Sequence, residues 1–278
     1  MRQDSIQPLL PLELERVIFE LAAYTRPLSV PSLMLVAWRV KAWVEPLLYR
    51  VLLLSETWSV FGTGLHGAHQ YPYEDNGIFS HTFAIPPAVL RTSVQHLCLP
   101  QTNHKLTKFL LSHCLFVRDL WALTDTEASL DLVGALRPRR FYCSVTAIFR
   151  KTTVDFVHSM VSQITHLEIF DEAEELPEES WFSLGLIPNL THLTFNDEAF
   201  LPLFPNLFRT CASLRVLALV MLDFVVHPVE TSDDLARDTR FVWIPCKQYV
   251  KDWTQGALTG EDYWSRADEF IERRKSGP

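Results

Sequence analysis

Ile164-Thr165-His166-Leu167-Glu168-Ile169 is answered further along the same chain by Leu190-Thr191-His192-Leu193-Thr194-Phe195. Both read apolar-x-x-Leu-x-apolar, a short strand whose alternate side chains enter a core. Outward from this pair, Val94-Gln95-His96-Leu97-Cys98-Leu99, Val117-Arg118-Asp119-Leu120-Trp121-Ala122 and Leu214-Arg215-Val216-Leu217-Ala218-Leu219 repeat the pattern. Pro138–Cys143 and Asp238–Trp243 are weaker copies. The central residues Leu97, Leu120, Phe141, Leu167, Leu193, Leu217 and Phe241 are separated by 23, 21, 26, 26, 24 and 24 positions. Recurrence at such a period marks stacked structural repeats. Helical spacing between strands, as in Leu106-Phe109-Leu110-His113 and Val154-Val157-Val161, supplies the second layer. The expected fold is α/β, with irregular leucine-rich repeats over residues 94–260 forming a solenoid with a single, mostly parallel sheet.

Residues on either side of each central position point to the opposite, concave face. Those before it are His96, Asp119, Arg140, His166, His192, Val216 and Arg240; those after it are Cys98, Trp121, Tyr142, Glu168, Thr194, Ala218 and Val242. Neighbouring strands lie about 4.8 Å apart, so these form two ladders. Trp, Tyr and Arg are enriched in binding hot spots. The expected target-binding set is therefore Asp119, Trp121, Arg140, Tyr142, His166, Glu168, His192 and Thr194. The competing reading makes this an ordinary wet sheet face, with Trp121 and Tyr142 lying against the N-terminal residues. A metal on His166 and His192 lacks a further ligand.

Composition narrows the function classes. The 278 residues, 48% hydrophobic with mean hydropathy +0.07, exclude wholesale disorder. A formal charge of −8 argues against a nucleic-acid footprint. Cys98, Cys114, Cys143, Cys211 and Cys246 are odd in number and have no C-x-x-C spacing, as expected for reduced, mostly buried thiols of an intracellular protein. No signal peptide or spanning segment is legible, so a soluble cytoplasmic or nuclear protein is expected. Phosphate-binding, dinucleotide-binding, nucleophile-elbow and zinc-protease motifs are missing, so no catalytic residue, cofactor or metal is assigned. His66 and His69 read as exposed loop histidines, and the acidic run Asp171–Glu179 as a solvated loop.

The N-terminal part reads as helices. Pro11 suits a first helical position, with Leu14, Val17, Ile18, Leu21 and Ala22 on one face. Ser32 is placed to cap a second helix through Val36, Val40 and Trp43, and Pro46 to break it near Val44–Glu45 before a short third helix. Leu10-Pro11-x-Glu13 with Ile18, followed by Val36-Ala37-Trp38-Arg39, resembles an F-box of the divergent F-box-like kind. With Glu45-Pro46-Leu47-Leu48-Tyr49-Arg50, the leucine-rich strands and Asp262-Tyr263-Trp264…Phe270-Ile271, the whole chain is similar to an expanded set of F-box-like, leucine-rich-repeat proteins of mushroom-forming fungi. The resemblance implies a three-helix module over residues 1–50 that docks a Skp-family adaptor through Leu10, Pro11, Ile18, Val36, Trp38 and Trp43. The repeats would then bind an unknown protein target, making the chain a substrate receptor of a cullin–RING ubiquitin ligase. A repeat scaffold with no ligase role is the alternative. Residues 51–93 are expected to hold a capping strand and an irregular connector, with Val51–Leu54 as the strand and a short helix near Pro86–Leu90. Residues 261–278 are expected to form an amphipathic helix that caps the last repeat, with Trp264, Ala267 and Ile271 inward.

Overall fold

The computed structural model describes residues 10–56, 69–73, 85–99, 104–123, 129–149, 153–221 and 233–276. Its strands are β1 (Val51–Glu56), β2 (His69–Tyr73), β3 (His96–Leu99), β4 (Asp119–Ala122), β5 (Arg140–Cys143), β6 (His166–Ile169), β7 (His192–Phe195), β8 (Val216–Met221) and β9 (Phe241–Pro245). They form one sheet in the order β2-β1-β3-β4-β5-β6-β7-β8-β9, parallel throughout. From β4 onward, each strand lies beside its predecessor in sequence.

The recurring central residue sets the register. Leu97 stands opposite Leu120, then Phe141, Leu167, Leu193, Leu217 and Phe241, and Leu52 of β1 extends the row at the other end. All eight are buried in one hydrophobic core. A one-residue slip would turn each of them to the other face, so this row fixes the alignment. The edge strand β2 is an addition to the expected capping strand Val51–Leu54.

The connections on the spine side hold α4 (Pro87–Ser93), α5 (His104–His113), α6 (Ser129–Leu136), α7 (Val145–Ile148), α8 (Glu178–Phe182), α9 (Phe204–Thr210) and α10 (Asp233–Arg237), among single turns of tighter helix. Leu110, Val133, Trp181, Phe204 and Leu207 bring these connections into the same core. The five cysteines are buried and unbridged. Burial pushes the thiols of Cys114 and Cys246 up to about 12, which leaves them inert. Among the described residues, no helix is long and apolar enough to cross a membrane. His66 lies outside the described residues, as do residues 1–9.

One turn is held by the acidic run itself. Asp171 is buried and accepts hydrogen bonds from Val145 N (2.7 Å), Thr146 N (2.9 Å), Ser144 Oγ (2.9 Å) and Thr146 Oγ1 (2.5 Å). A residue after β6 thus satisfies the orphan donors at the start of α7, which follows β5. Glu172, Glu174, Glu175, Glu178 and Glu179 remain exposed as a solvated loop should, so Asp171 departs from that reading.

The N-terminal residues form α1 (Leu12–Thr25), α2 (Val30–Leu33) and α3 (Trp38–Leu48). Pro11 is the cap residue, its carbonyl accepting from Glu15 N at 3.0 Å, one place earlier than expected. The second helix is only a turn, with Ser32 inside it, and α3 runs through Pro46 without breaking. Pro46 lies in the last turn, where little helix remains to be disturbed. Ala23, Val30, Val40 and Val44 make a small core of their own. The Arg39 guanidinium forks onto Glu15 (Nη2 2.7 Å, Nε 3.0 Å) and clamps α3 to α1.

The last two helices, α11 (Tyr249–Thr259) and α12 (Tyr263–Ser276), lie against the sheet face opposite the spine. Gly260, in a left-handed conformation with φ 83°, ends α11 and turns the chain into α12. Trp264, Ala267 and Ile271 point inward as their spacing requires. The helix nevertheless packs across the sheet instead of closing its end.

Candidate interaction surfaces

The two ladders form as the repeat spacing dictates. His96, Asp119, Arg140, His166, His192 and Val216 are successive neighbours, as are Cys98, Trp121, Tyr142, Glu168, Thr194, Ala218 and Val242. Arg240 leaves its row: it pairs with Asp238 at 2.8 Å and lies over Phe208, which packs on the spine side.

The ladders do not face solvent, which corrects the expected target-binding surface. Asp119, Trp121, Tyr142, Glu168, His192 and Thr194 are buried, and Arg140 and His166 are half-buried. The cause is the aromatic content of the C-terminal hairpin. Tyr249 meets Trp121 edge-on at 5.0 Å, and Trp253 lies 6.0 Å from Trp121 and 6.4 Å from Tyr142. The Trp264 indole N–H donates to Tyr142 Oη at 3.2 Å. Neither do the aromatics lie against the N-terminal residues, as the competing reading had it. Tyr249, Trp253, Tyr263 and Trp264 were the signal in the sequence, because four large aromatics within sixteen residues need a surface to cover.

Polar groups fix the hairpin in place. Arg140 Nη1 pairs with Asp262 Oδ2 at 2.6 Å, and Asp262 also accepts from Ser265 N at 2.9 Å as the cap of α12. His166 and His192 stack with ring centres 3.9 Å apart and planes 6° from parallel. Trp264 stands edge-on to both. His192 Nε2 is 3.2 Å from the Asp268 carboxylate, and the hydroxyls of Thr165 and Thr191 meet the Nδ1 atoms of the two rings. Burial, with His192 and Arg140 alongside, holds the His166 imidazole down to about 2. Burial also lowers His192, although Asp268 works against it. Burial thus disfavours the charged form of both rings. The stack brings no third ligand, and among the described residues no group of three candidate ligands is assembled for a metal.

Glu168 is fully buried, and its Oε2 accepts from the hydroxyls of Tyr249 (2.5 Å) and Tyr263. Its Oε1 has no hydrogen-bond partner among the described residues, nor have Thr194 Oγ1 on the next strand and Trp121 Nε1. Burial raises the carboxyl to about 8, against the pull of the two tyrosine hydroxyls. A folded-state value above the ordinary one gives stability that is complete below about pH 4.5 and is lost as pH rises through about 8. Glu168→Gln, which cannot ionise, is expected to flatten the fall in melting temperature between pH 6 and pH 9. It should leave the variant more stable than wild type at pH 9, by an amount on the order of a few kcal/mol. Parallel melting curves across that range would sink this assignment.

The second surface is on the N-terminal helices. With α1 clamped to α3 through Glu15, its other side is bare: Leu10, Leu14, Val17, Ile18 and Leu21 are exposed, as are Leu35, Val36 and Trp38. Leu35 is 86% and Trp38 84% accessible. Of the six residues expected to meet an adaptor, Leu10, Pro11, Ile18, Val36 and Trp38 are on the outside, while Trp43 turns inward onto the module's own core. None of the exposed side chains belongs to that core. Arg50, itself buried, joins the module to the rest: its guanidinium lies 4.6 Å over Tyr24 of α1, and its Nη2 donates to Leu258 O of α11 at 2.7 Å. Its carbonyl accepts from the backbone of Gln95 and His96 at the start of β3.

Comparison with protein-family models, with curated proteins and with solved structures finds no match.

Proposed function

We propose that this chain is a non-catalytic interaction adaptor. In this reading it is a substrate receptor of a cullin–RING ubiquitin ligase, built from an F-box-like helical module and leucine-rich repeats. The observation that carries the proposal is the bare apolar side of α1 with Leu35, Val36 and Trp38 beside it, where a small helical module presents side chains its own core does not use. A Skp-family adaptor is the partner implied by the Leu10-Pro11-x-Glu13 motif at the head of that surface. The protein performs no covalent chemistry; it raises the effective concentration of a bound target near the transferred ubiquitin.

Leu10 and Ile18 are 45% and 52% accessible, so replacing both by glutamate leaves the core untouched. Co-purification with a Skp-family adaptor is expected for the wild type. It should weaken at least about a hundredfold in the Leu10→Glu/Ile18→Glu chain, with an unchanged melting curve. A folded double variant that still binds rejects this face as the docking surface. The second reading, a scaffold whose helices only cap the sheet, draws on the way Arg50 ties the module to β3 and α11. A wild type that never binds the adaptor favours it.

A further inference from the structure

A third row crosses the repeats where the chain enters each strand. Backbone N–H groups bond along it one strand at a time: Arg118 to Gln95 O (2.8 Å), Arg139 to Arg118 O (2.7 Å), Thr165 to Arg139 O (2.8 Å), Thr191 to Thr165 O (3.0 Å) and Arg215 to Thr191 O (2.8 Å). None of these six residues is acidic. Arg118, Arg139 and Arg215 are exposed, unlike the ladders under the C-terminal hairpin. The hydroxyls of Thr165 and Thr191 donate to Arg139 O (3.1 Å) and Thr165 O (3.0 Å), so these carbonyls are taken and repel an anion less.

Three observations single out the first half of this rim. The guanidinium groups of Arg118, Arg137 and Arg139 are exposed and have no ion pair or hydrogen bond among the described residues, in a chain whose formal charge is −8. By contrast, Arg39, Arg140, Arg240 and Arg266 each hold a carboxylate. Arg118 and Arg139 stand on neighbouring strands, where like charges side by side oppose the pairing unless an anion joins them. Arg137 is the one non-glycine among the described residues with left-handed backbone (φ 52°). It ends α6, its N–H bonded to Val133 O at 3.2 Å, at a place that ordinarily takes glycine or asparagine. Strain kept at such a position points to a use for the side chain. Beside them, in the turn before β4, Leu115 and Phe116 are 52% and 61% accessible. Arginine and aromatic residues are the types enriched where proteins bind one another.

We infer that this strand-entry rim is an interaction surface for an acidic peptide segment of a partner protein. A doubly charged group of the segment is held between Arg118 and Arg139, with Arg137 beside them, and a neighbouring apolar side chain meets Leu115 and Phe116. Two adjacent carboxylates or one phosphoserine supply that charge, and guanidinium groups fork onto either. Arg215 stands four strands beyond Arg118, about 19 Å away, which an extended chain spans in about six residues. A further acidic residue at that spacing meets it. Nucleic acid offers the same charge, but the net negative chain and a single exposed aromatic at the cluster favour a peptide. The inference rests on the reading that the repeats recognise a protein target, and places recognition on the rim instead of the covered ladders. Adaptor docking by α1 plays no part in it.

The test uses the full chain and immobilised pools of 12-residue peptides, random in uncharged residues around a fixed central pair: Glu-Glu, phosphoserine-Gly, Gln-Gln or Lys-Lys. A 12-nucleotide thymidine strand is read in parallel. The acidic pools are expected to retain the chain at least about tenfold better than the Gln-Gln or Lys-Lys pools, and less so at high salt. The pool that retains it better, Glu-Glu or phosphoserine, assigns the double charge to paired carboxylates or to a phosphate. Arg118→Gln/Arg139→Gln should lose at least about tenfold with an unchanged melting curve. Arg237→Gln/Arg273→Gln, the same change of charge at two other exposed arginines, should lose nothing. Arg137→Gly should weaken retention without lowering the melting temperature, because glycine relieves the left-handed backbone. Equal retention by all pools, a preference that survives Arg118→Gln/Arg139→Gln or falls equally in the control pair, or tighter binding of the thymidine strand than of either acidic pool would overturn the inference. Adaptor co-purification is expected to be unchanged in all these chains, so a failure here is distinguishable from a failure of the docking reading.

Discussion

Trp264→Ala is expected to lower the melting temperature by about 10 °C. The indole is buried between the stacked rings of His166 and His192, the ring of Tyr263 (4.6 Å) and the hydroxyl of Tyr142 that accepts its N–H. Removing a buried tryptophan costs about 3–5 kcal/mol, and a chain of this size loses roughly 2–4 °C per kcal/mol. The loss should be local in origin. The spine is on the other face of the sheet, so near-ultraviolet dichroism, which reports the aromatic cluster under the hairpin, should fall well before far-ultraviolet dichroism does. A shift below about 3 °C would mean that the hairpin contributes little to the stability of the sheet.

Asp171→Ala should be nearly as damaging, for a different reason. Four hydrogen bonds converge on this carboxylate from Ser144, Val145 and Thr146, two of them from backbone N–H groups that α7 cannot satisfy itself. Bonds to a charged group contribute about 1.5–3 kcal/mol, and an orphaned buried donor adds its desolvation cost. A loss of about 3 kcal/mol or more is therefore expected, read as a lowered urea midpoint with an unchanged slope. Asn at this position keeps one acceptor oxygen and should recover about half. Because Asp171 follows β6 while its partners follow β5, the damage should spread to both repeats. An alanine variant within about 1 kcal/mol of wild type would show that water replaces the carboxylate.

The contrast between these two residues explains what could be read from the chain beforehand. The spine was legible because a strand reports its buried face at every second position, and seven recurrences of one central residue leave a single register in which all are covered. Both ladders followed from the same rule. What covers them did not, because the docking of a helix on a sheet face more than a hundred residues away leaves no periodic trace. Trp264 advertised an inward face without saying against what. Asp171 was hidden among glutamates of the same charge, and only its contact with the preceding repeat separates it from them. Trp43 was expected on the adaptor face, whereas α3 packs it on the module's own core with Val40 and Val44. Arg240 belonged to its row by count alone, and Asp238, two residues away, drew it off.

A strip of strands joined only to nearest neighbours ordinarily frays from whichever end is weaker. Arg50 denies this chain that freedom. Through one guanidinium and one carbonyl it fastens α1, the head of β3 and the tail of α11, residues 208 positions apart in the last case. The N-terminal helices and the C-terminal hairpin are thereby buckled together like a belt. Loosening of α11 is therefore expected to be felt at α1 and at the head of β3, which share the same arginine.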